Sequence, residues 1–167
     1  MEYQEAKDKF ISAWGSLGSS WGINRTMAQI HALLLVAVEP MSADEIMEEL
    51  KISRGNANMN IRSLVDWGLV EKEYKPGERR EFFVAGKDIW EVAKQIAKER
   101  KKRELEPVQK VLLQVKNVDS TDKKSEEFKR MTSELSEFAN QAEAMMDLFV
   151  NSKKNWIYKV IGLFTKS

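Results

Sequence analysis

"SRGNANMNIRSLVDWGLV", residues 53–70, is long enough for a helix and is oddly made for one. Gly55, Asn56, Asn58 and Asn60 are mediocre helix formers, and a helix chosen for stability alone favours Ala, Leu, Glu and Lys. The ends are nonetheless well marked. Ser53 is a good N-cap, and Gly68 follows Trp67 as a C-terminal cap. On a helical wheel from Arg54, the residues Ala57, Ile61, Leu64 and Val65 share one apolar face. Gly55, Asn56, Met59, Arg62 and Ser63 lie opposite, with Asn58 and Asn60 at the margins. The stretch therefore predicts a helix with an apolar inner face and a polar outer face whose residues were selected for something other than helix stability.

Both flanks give that outer face a context. Upstream, "MSADEIMEEL" (41–50) opens with Ser42 and Glu45 in capping-box spacing, and Ile46, Met47 and Leu50 follow as an inward face. "KIS" is a short turn, so two short helices meet in a helix-turn-helix. Downstream, Leu69-Val70 and Phe82-Phe83-Val84 are strand-like, and "KPGERR" between them is a hairpin tip with Pro76 and Gly77. Lys75, Arg79 and Arg80 crowd that tip, which makes the hairpin a basic wing. The fold class expected is mainly α with a small β-hairpin wing: a winged helix-turn-helix with helical dimerisation extensions.

Charge supports a polyanionic partner. The chain of 167 residues has a net charge of +1, but the sign is distributed. Residues 1–50 carry a net −5, residues 51–103 a net +6, and residues 104–167 balance. The excess coincides with the unusual helix and the wing, and a local basic surface attracts nucleic acid even on a near-neutral protein. Arg reads guanine edges, Asn reads adenine, and Gly55 removes a side chain where backbone must come close. The candidate contacts to double-stranded DNA are Ser53, Arg54, Asn56, Asn58, Met59 and Arg62 on the helix, and Lys75, Arg79 and Arg80 on the wing. Arg62 and Asn56 are expected to point outward to base edges, and the wing arginines to touch phosphate or minor groove. The bland alternative is a solvated polar face. A second alternative is a winged-helix module that binds protein, although such modules usually lose the basic wing.

"WGINRTMAQIHALLL…EPMSADEIMEELKISRGNANMNIRSLVDWGLVEKEYKPGERREFFVAGKDIWEVAKQIAKERKKRELEP" resembles the branch of MarR-type regulators that includes repressors of glycine-betaine synthesis. The "SRGNxxMNIRxLxxWGLV" and "KPGERRxxF" blocks carry most of the likeness, which covers about residues 10–107. The resemblance implies a dimeric transcription factor, expected to be a repressor, acting on a pseudo-palindromic operator.

The remaining segments suggest self-association. Tyr3, Phe10 and Leu17, with Ala6, Ala13 and Trp14, form a stripe on a helix expected to end near Gly15–Gly18. "RTMAQIHALLLVAV" reads as a mostly buried helix that Pro40 stops, with His31 in a core role. Asp88 caps a helix carrying Ile89, Trp90, Ala93, Ile96 and Ala97, which runs into the solvated "KERKKRE". Phe128, Met131, Leu135, Phe138, Ala142, Met145 and Phe149 alternate steps of three and four, the spacing of a helix–helix seam. Trp156, Ile157, Val160, Ile161 and Phe164 mark a last helix for the partner subunit; with Lys153, Lys154, Lys159 and Lys166 its rival reading is a membrane-surface helix. The division expected is an N-terminal dimerisation helix (1–22), a DNA-binding domain (23–86) and a helical dimerisation region (87–167).

Other chemistry has little support. With one His and no Cys, most metal sites and nucleophile–base pairs are hard to build, and no phosphate-cradling glycine motif is present. No enzyme activity and no cofactor are expected. "ALLLVAV" (32–38) is too short to span a membrane, no signal peptide opens the chain, and the expected location is cytoplasmic. Five Trp and three Tyr allow an aromatic box for a quaternary ammonium effector such as choline, set against the plainer role of core and dimer packing.

Overall fold

The computed structural model describes residues 1–20, 22–119 and 122–153. The C-terminal stripe from Trp156 to Phe164, with Lys154, Lys159 and Lys166, lies outside them. The chain divides into two compact units, residues 1–92 and 93–167.

In the first unit, α1 (Tyr3–Ser20) packs on α2 (Arg25–Val36), and α3 (Ala43–Leu50) and α4 (Arg54–Asp66) form the helix-turn-helix. A three-stranded antiparallel sheet completes it: β1 (Met41–Ser42), β2 (Val70–Tyr74) and β3 (Glu81–Ala85), ordered β1-β3-β2. The sheet pairs Met41 with Phe83 and Val70 with Ala85. The sequence gives no sign of β1, because a two-residue strand is too short to show an alternation. The core joins α2, α3, α4 and the sheet through Ile30, Leu34, Ile46, Leu64, Val70 and Phe82.

Local signals explain the joints. The Ser42 amide and hydroxyl both donate to Glu45 Oε2, at 2.7 and 2.6 Å, and the Glu45 amide donates back to Ser42 Oγ, closing the expected capping box. Both bonds from Ser42 favour the ionised carboxylate and hold Glu45 below the usual carboxylate range. Lys51 turns the chain between the two helices at φ 52°, and its neighbour's amide (Ile52) reaches back to the Met47 carbonyl. At the end of α4, Gly68 takes φ 68°; its amide bonds to Val65 O and the Leu69 amide to Leu64 O, a Schellman closure. The C-terminal carbonyls of α2 are closed by a cation from another element: Lys87 Nζ donates to the carbonyls of Leu34, Leu35 and Ala37 at 2.7–2.8 Å. Partial burial there lowers the Lys87 pKa from its ordinary value.

Helix α1 departs from the sequence reading. It continues through Gly15 and Gly18 to Ser20, and its buried residues are Ile11, Gly15 and Gly18. The Tyr3–Phe10–Leu17 stripe is not the face that packs on α2: Tyr3 is 70% exposed. A β-carbon on Gly15 would lie 2.6 Å from Gln29 Cγ, and one on Gly18 the same distance from Ala28 Cβ. The glycines are therefore the contact itself, not helix terminators. An ion pair from Lys7 to Glu49 ties α1 to α3 as well.

Asp88 Oδ1 caps α5 (Ile89–Arg100) by accepting from the Trp90 amide at 2.9 Å. In the second unit the helical path runs through a π-helical turn at Lys101–Leu105 into α6 (Glu106–Val115). That turn sits just before Pro107, which has no amide to give to an α-helical ladder. Helix α7 (Lys123–Val150) packs on α6, and Gln109 Nε2 bonds to Glu143 Oε2 at 2.8 Å. Lys101 bonds to Asp147 and Glu143, which keeps its own pKa raised. Of the α7 seam residues, Phe128, Met131, Leu135, Phe138 and Met145 are exposed and Ala142 and Phe149 half-buried; the buried residue of α7 is Ala139, outside the seam. Among the described residues no helix is long and apolar enough to cross a membrane.

Candidate nucleic-acid interface

The outer face of α4 is built from what its inner face leaves over. Ala57, Ile61 and Leu64 are buried as expected, which turns Arg54, Asn58, Met59 and Arg62 outward, all exposed. Ser53 caps the helix, its Oγ accepting from the Asn56 amide at 3.4 Å, so that side chain is turned to the helix end.

Two asparagines differ from the wheel. Asn60 is fully buried, and its Nδ2 donates to Asn56 O at 2.8 Å and Asn56 Oδ1 at 2.7 Å. Asn56 in turn donates from Nδ2 to Thr26 Oγ1 on α2, at 3.4 Å. The half-buried Asn56 amide is thus spent on tying α4 to α2 and does not point freely outward. The physical reason is satisfaction: a buried Asn60 needs partners, and residue i−4 is the nearest source.

Several of the exposed cations have carboxylate partners. Arg54 Nη2 lies 2.8 Å from Asp44 Oδ1, and Arg80 Nε lies 2.5 Å from Glu78 Oε2. Lys72 Nζ lies 2.8 Å from Glu81 Oε1, to which the Tyr74 hydroxyl also donates at 3.2 Å. The bond from Lys72 holds Glu81 below the usual carboxylate range and raises Lys72 in return. On the wing, Lys75 Nζ sits 4.1 Å and Arg80 Cζ 5.1 Å from the centre of the Phe82 ring. One aromatic side chain, buried in the sheet, thereby fixes the directions of two tip cations. Arg62 and Arg79 are both exposed.

Sequence reasoning did not single out Asp44, Lys72, Glu81 or Phe82 as part of this surface. The i,i+4 spacing of Asn56 and Asn60 was the signal for their mutual bond. Nothing local marks Asp44 as the partner of Arg54, ten residues away. Of the aromatics proposed for an effector box, Trp21, Trp156 and Tyr158 lie outside the described residues. Phe10 and Trp14 pair with each other at 5.7 Å, and the cations over Tyr3 and Phe82 are the chain's own Lys7, Lys75 and Arg80. Among the described residues no cluster of His, Asp and Glu is arranged to hold a metal.

Comparison with known proteins agrees with the fold. The MarR family model matches residues 21–81. The chain is similar to the HTH-type transcriptional repressor GbsR of Bacillus subtilis, 29% identical over 87 residues, which is 52% of this chain and 48% of that protein. The chain thus spans about half the length of that curated relative. A solved structure described as a transcriptional regulator covers 88% of this chain and 99% of its own, with a TM-score of 0.61 at 19% identity, a likeness of fold.

Proposed function

We propose that the chain, whose residues 21–81 match the MarR family model and which is similar to the repressor GbsR, is a sequence-specific, double-stranded-DNA-binding transcriptional regulator. The observation that carries this reading is the exposed face of Asn58, Met59 and Arg62 on α4. It meets the stem of a basic hairpin carrying Lys75, Arg79 and Arg80, where Asn58 and Arg62 line one cleft with Lys72 and Glu81. A helix of this width enters the major groove, and a basic hairpin beside it meets phosphate or minor groove. Arg62 and Asn58 are the base-reading candidates, Arg79 and Arg80 the backbone contacts. Asn56 ties α4 to α2 through Thr26 and accepts from the buried Asn60, so it serves the fold.

The regulator acts as a homodimer on a pseudo-palindromic operator and, by analogy with the repressor it resembles, blocks transcription in the cytoplasm. The exposed α7 seam supports self-association, since contiguous apolar surface of that kind rarely stays in water. We place self-association on this seam, the other helices after residue 87 and the exposed stripe of α1. A DNA-regulatory role needs no catalytic centre.

The test is selection of bound duplexes from a random library, followed by titration of the winner and a scrambled duplex at several salt concentrations. A two-fold-symmetric site bound at least a thousandfold tighter than the scrambled one is the expected result. No preference for any duplex would favour the protein-binding winged helix instead. Repeating the titration with choline or glycine betaine tests an effector: unchanged affinity leaves the aromatics as packing.

A further inference from the structure

Between α4 and the stem of the wing lies a cleft of about 370 Å³. Ile61 and Phe83 form its apolar floor, and both are buried. Asn58 and Arg62 line it from the helix, Lys72 and Glu81 from the paired strands. Lys72 lies opposite Phe83 in the β2–β3 register, so its side chain is carried at the middle of the stem, away from the hairpin tip. The charge of Arg62 is close enough to oppose that of Lys72. Two cations thus overlook one cleft, and Glu81 neutralises one of them.

The position of the cleft gives it a ligand. The two grooves of a duplex are separated by a sugar–phosphate strand. A helix in the major groove and a hairpin at the adjacent minor groove leave that strand to cross the gap between them, and here the gap is the cleft. We propose that this cleft seats a backbone phosphate of duplex DNA, with Lys72 as its cation and Glu81 as the carboxylate that the phosphate displaces. The proposal rests on the DNA-binding reading above.

The exchange is chemically plausible in both directions. The Lys72–Glu81 pair is about two-fifths exposed on each side, and pairs of that kind hold weakly. A phosphate offers Lys72 the same charge and more acceptor oxygens. Once displaced, Glu81 keeps the Tyr74 hydroxyl and gains water, but it remains a negative charge beside the phosphate. In the free protein Glu81 holds Lys72 at the cleft; in the complex it opposes binding to any backbone, whatever the sequence. Glu81 therefore limits indiscriminate affinity and leaves base reading to α4.

The experiment compares wild type, Lys72→Ala, Lys72→Arg, Glu81→Gln and the Lys72→Ala/Glu81→Gln double variant on the selected and the scrambled duplex across a salt series. Lys72 is exposed and Glu81 half-buried, and circular dichroism checks that each variant is folded. Lys72→Ala should weaken both duplexes alike, by about three- to tenfold, and flatten the salt dependence by about 0.9 per half-site, the mark of one lost phosphate contact. Lys72→Arg should keep the slope. Glu81→Gln should tighten both duplexes, and that gain should shrink in the Lys72→Ala background. Neutral methylphosphonates scanned along the selected duplex should find one position per half-site that weakens wild type and leaves Lys72→Ala unaffected. An unchanged slope in Lys72→Ala, an equal Glu81→Gln gain in both backgrounds, or no such methylphosphonate position overturns the seat while leaving the regulator reading intact. A wild type that binds no duplex overturns both.

Discussion

At the scale of single residues, α4 separates side chains that hold the fold from side chains that face outward. Arg62→Ala should cost about 1–3 kcal/mol on the preferred site and relax discrimination at one base pair per half-site. Asn56→Ala, by contrast, removes the side-chain acceptor of the buried Asn60, leaving only the Asn56 carbonyl, and the tie to Thr26. It should lower unfolding stability by about 1–3 kcal/mol and leave base preference unchanged. Chemical denaturation alongside binding titrations separates the two, and a change of sequence preference in Asn56→Ala would return that residue to the bases. Gly55 gives a third contrast, because a β-carbon there meets nothing within 4 Å. Gly55→Ala should therefore stabilise the free protein by about 0.5–1 kcal/mol. If α4 backbone approaches DNA as the sequence suggests, the same change weakens the complex, and stability and affinity move in opposite directions. His31 supplies the pH dependence. Burial lowers its pKa to about 4 from 6.5, so the folded state resists protonation that the unfolded chain accepts. Its contribution is complete above pH 6.5 and is lost as pH falls toward 4, by about 3 kcal/mol in all. The difference in stability between wild type and His31→Leu, followed from pH 7.5 to 4, should change across that window and stay flat above it.

Among the elements, those legible in the sequence were the ones whose signals are local. The capping box of α3, the Ser53 cap and Gly68 closure of α4, the wing turn at Pro76-Gly77 and the Asp88 cap of α5 all depend on residues within a few positions of one another. Their spacing is enough to place the ends. What escaped depends on tertiary contact. Strand β1 exists because Met41 and Ser42 meet Phe83 and Phe82, some forty residues away. The Lys87 cap of α2 is a similar case. Helix α1 shows a contact no hydrophobic pattern registers: Ile11, Gly15 and Gly18 pack on α2, and two of those have no side chain. The same held at the candidate site, where the polar face and basic tip were legible but the partners Asp44 and Glu81 and the Phe82 platform were not. Gly18→Ala tests the α1–α2 contact against helix propensity. Alanine gains up to about 1 kcal/mol as a helix former, yet its β-carbon would stand 2.6 Å from Ala28 Cβ, closer than packed carbons approach. The helices must separate, and a net loss of about 1–3 kcal/mol is expected in thermal or urea unfolding. A net gain would mean that α1 sits more loosely on α2 than this packing implies.

For the whole molecule, the seam on α7 and the surface on α4 lie in different compact units, so the link between them is thermodynamic, through self-association. Leu135 is half exposed and Phe138 is 69% exposed, in a stripe with Phe128, Met131 and Met145. A carboxylate in such a seam has to be buried unpaired or keep the helices apart, and either outcome opposes association. Wild type should sediment as a dimer at micromolar concentration, and Leu135→Glu as a folded monomer. The consequence for DNA follows from symmetry. A dimer places two recognition helices on half-sites about one helical turn apart, and each half-site contributes its own phosphate contacts. Leu135→Glu should therefore weaken binding to the full palindrome, cut the salt slope roughly in half, and leave affinity for an isolated half-site unchanged. Sedimentation velocity and a salt series on full-site and half-site duplexes read all three. A monomeric wild type would remove the seam from this account, as would a Leu135→Glu variant that remains dimeric. A monomeric variant that still bound the palindrome at wild-type strength would instead show that one recognition helix and one wing suffice, and that the two-fold operator is unnecessary.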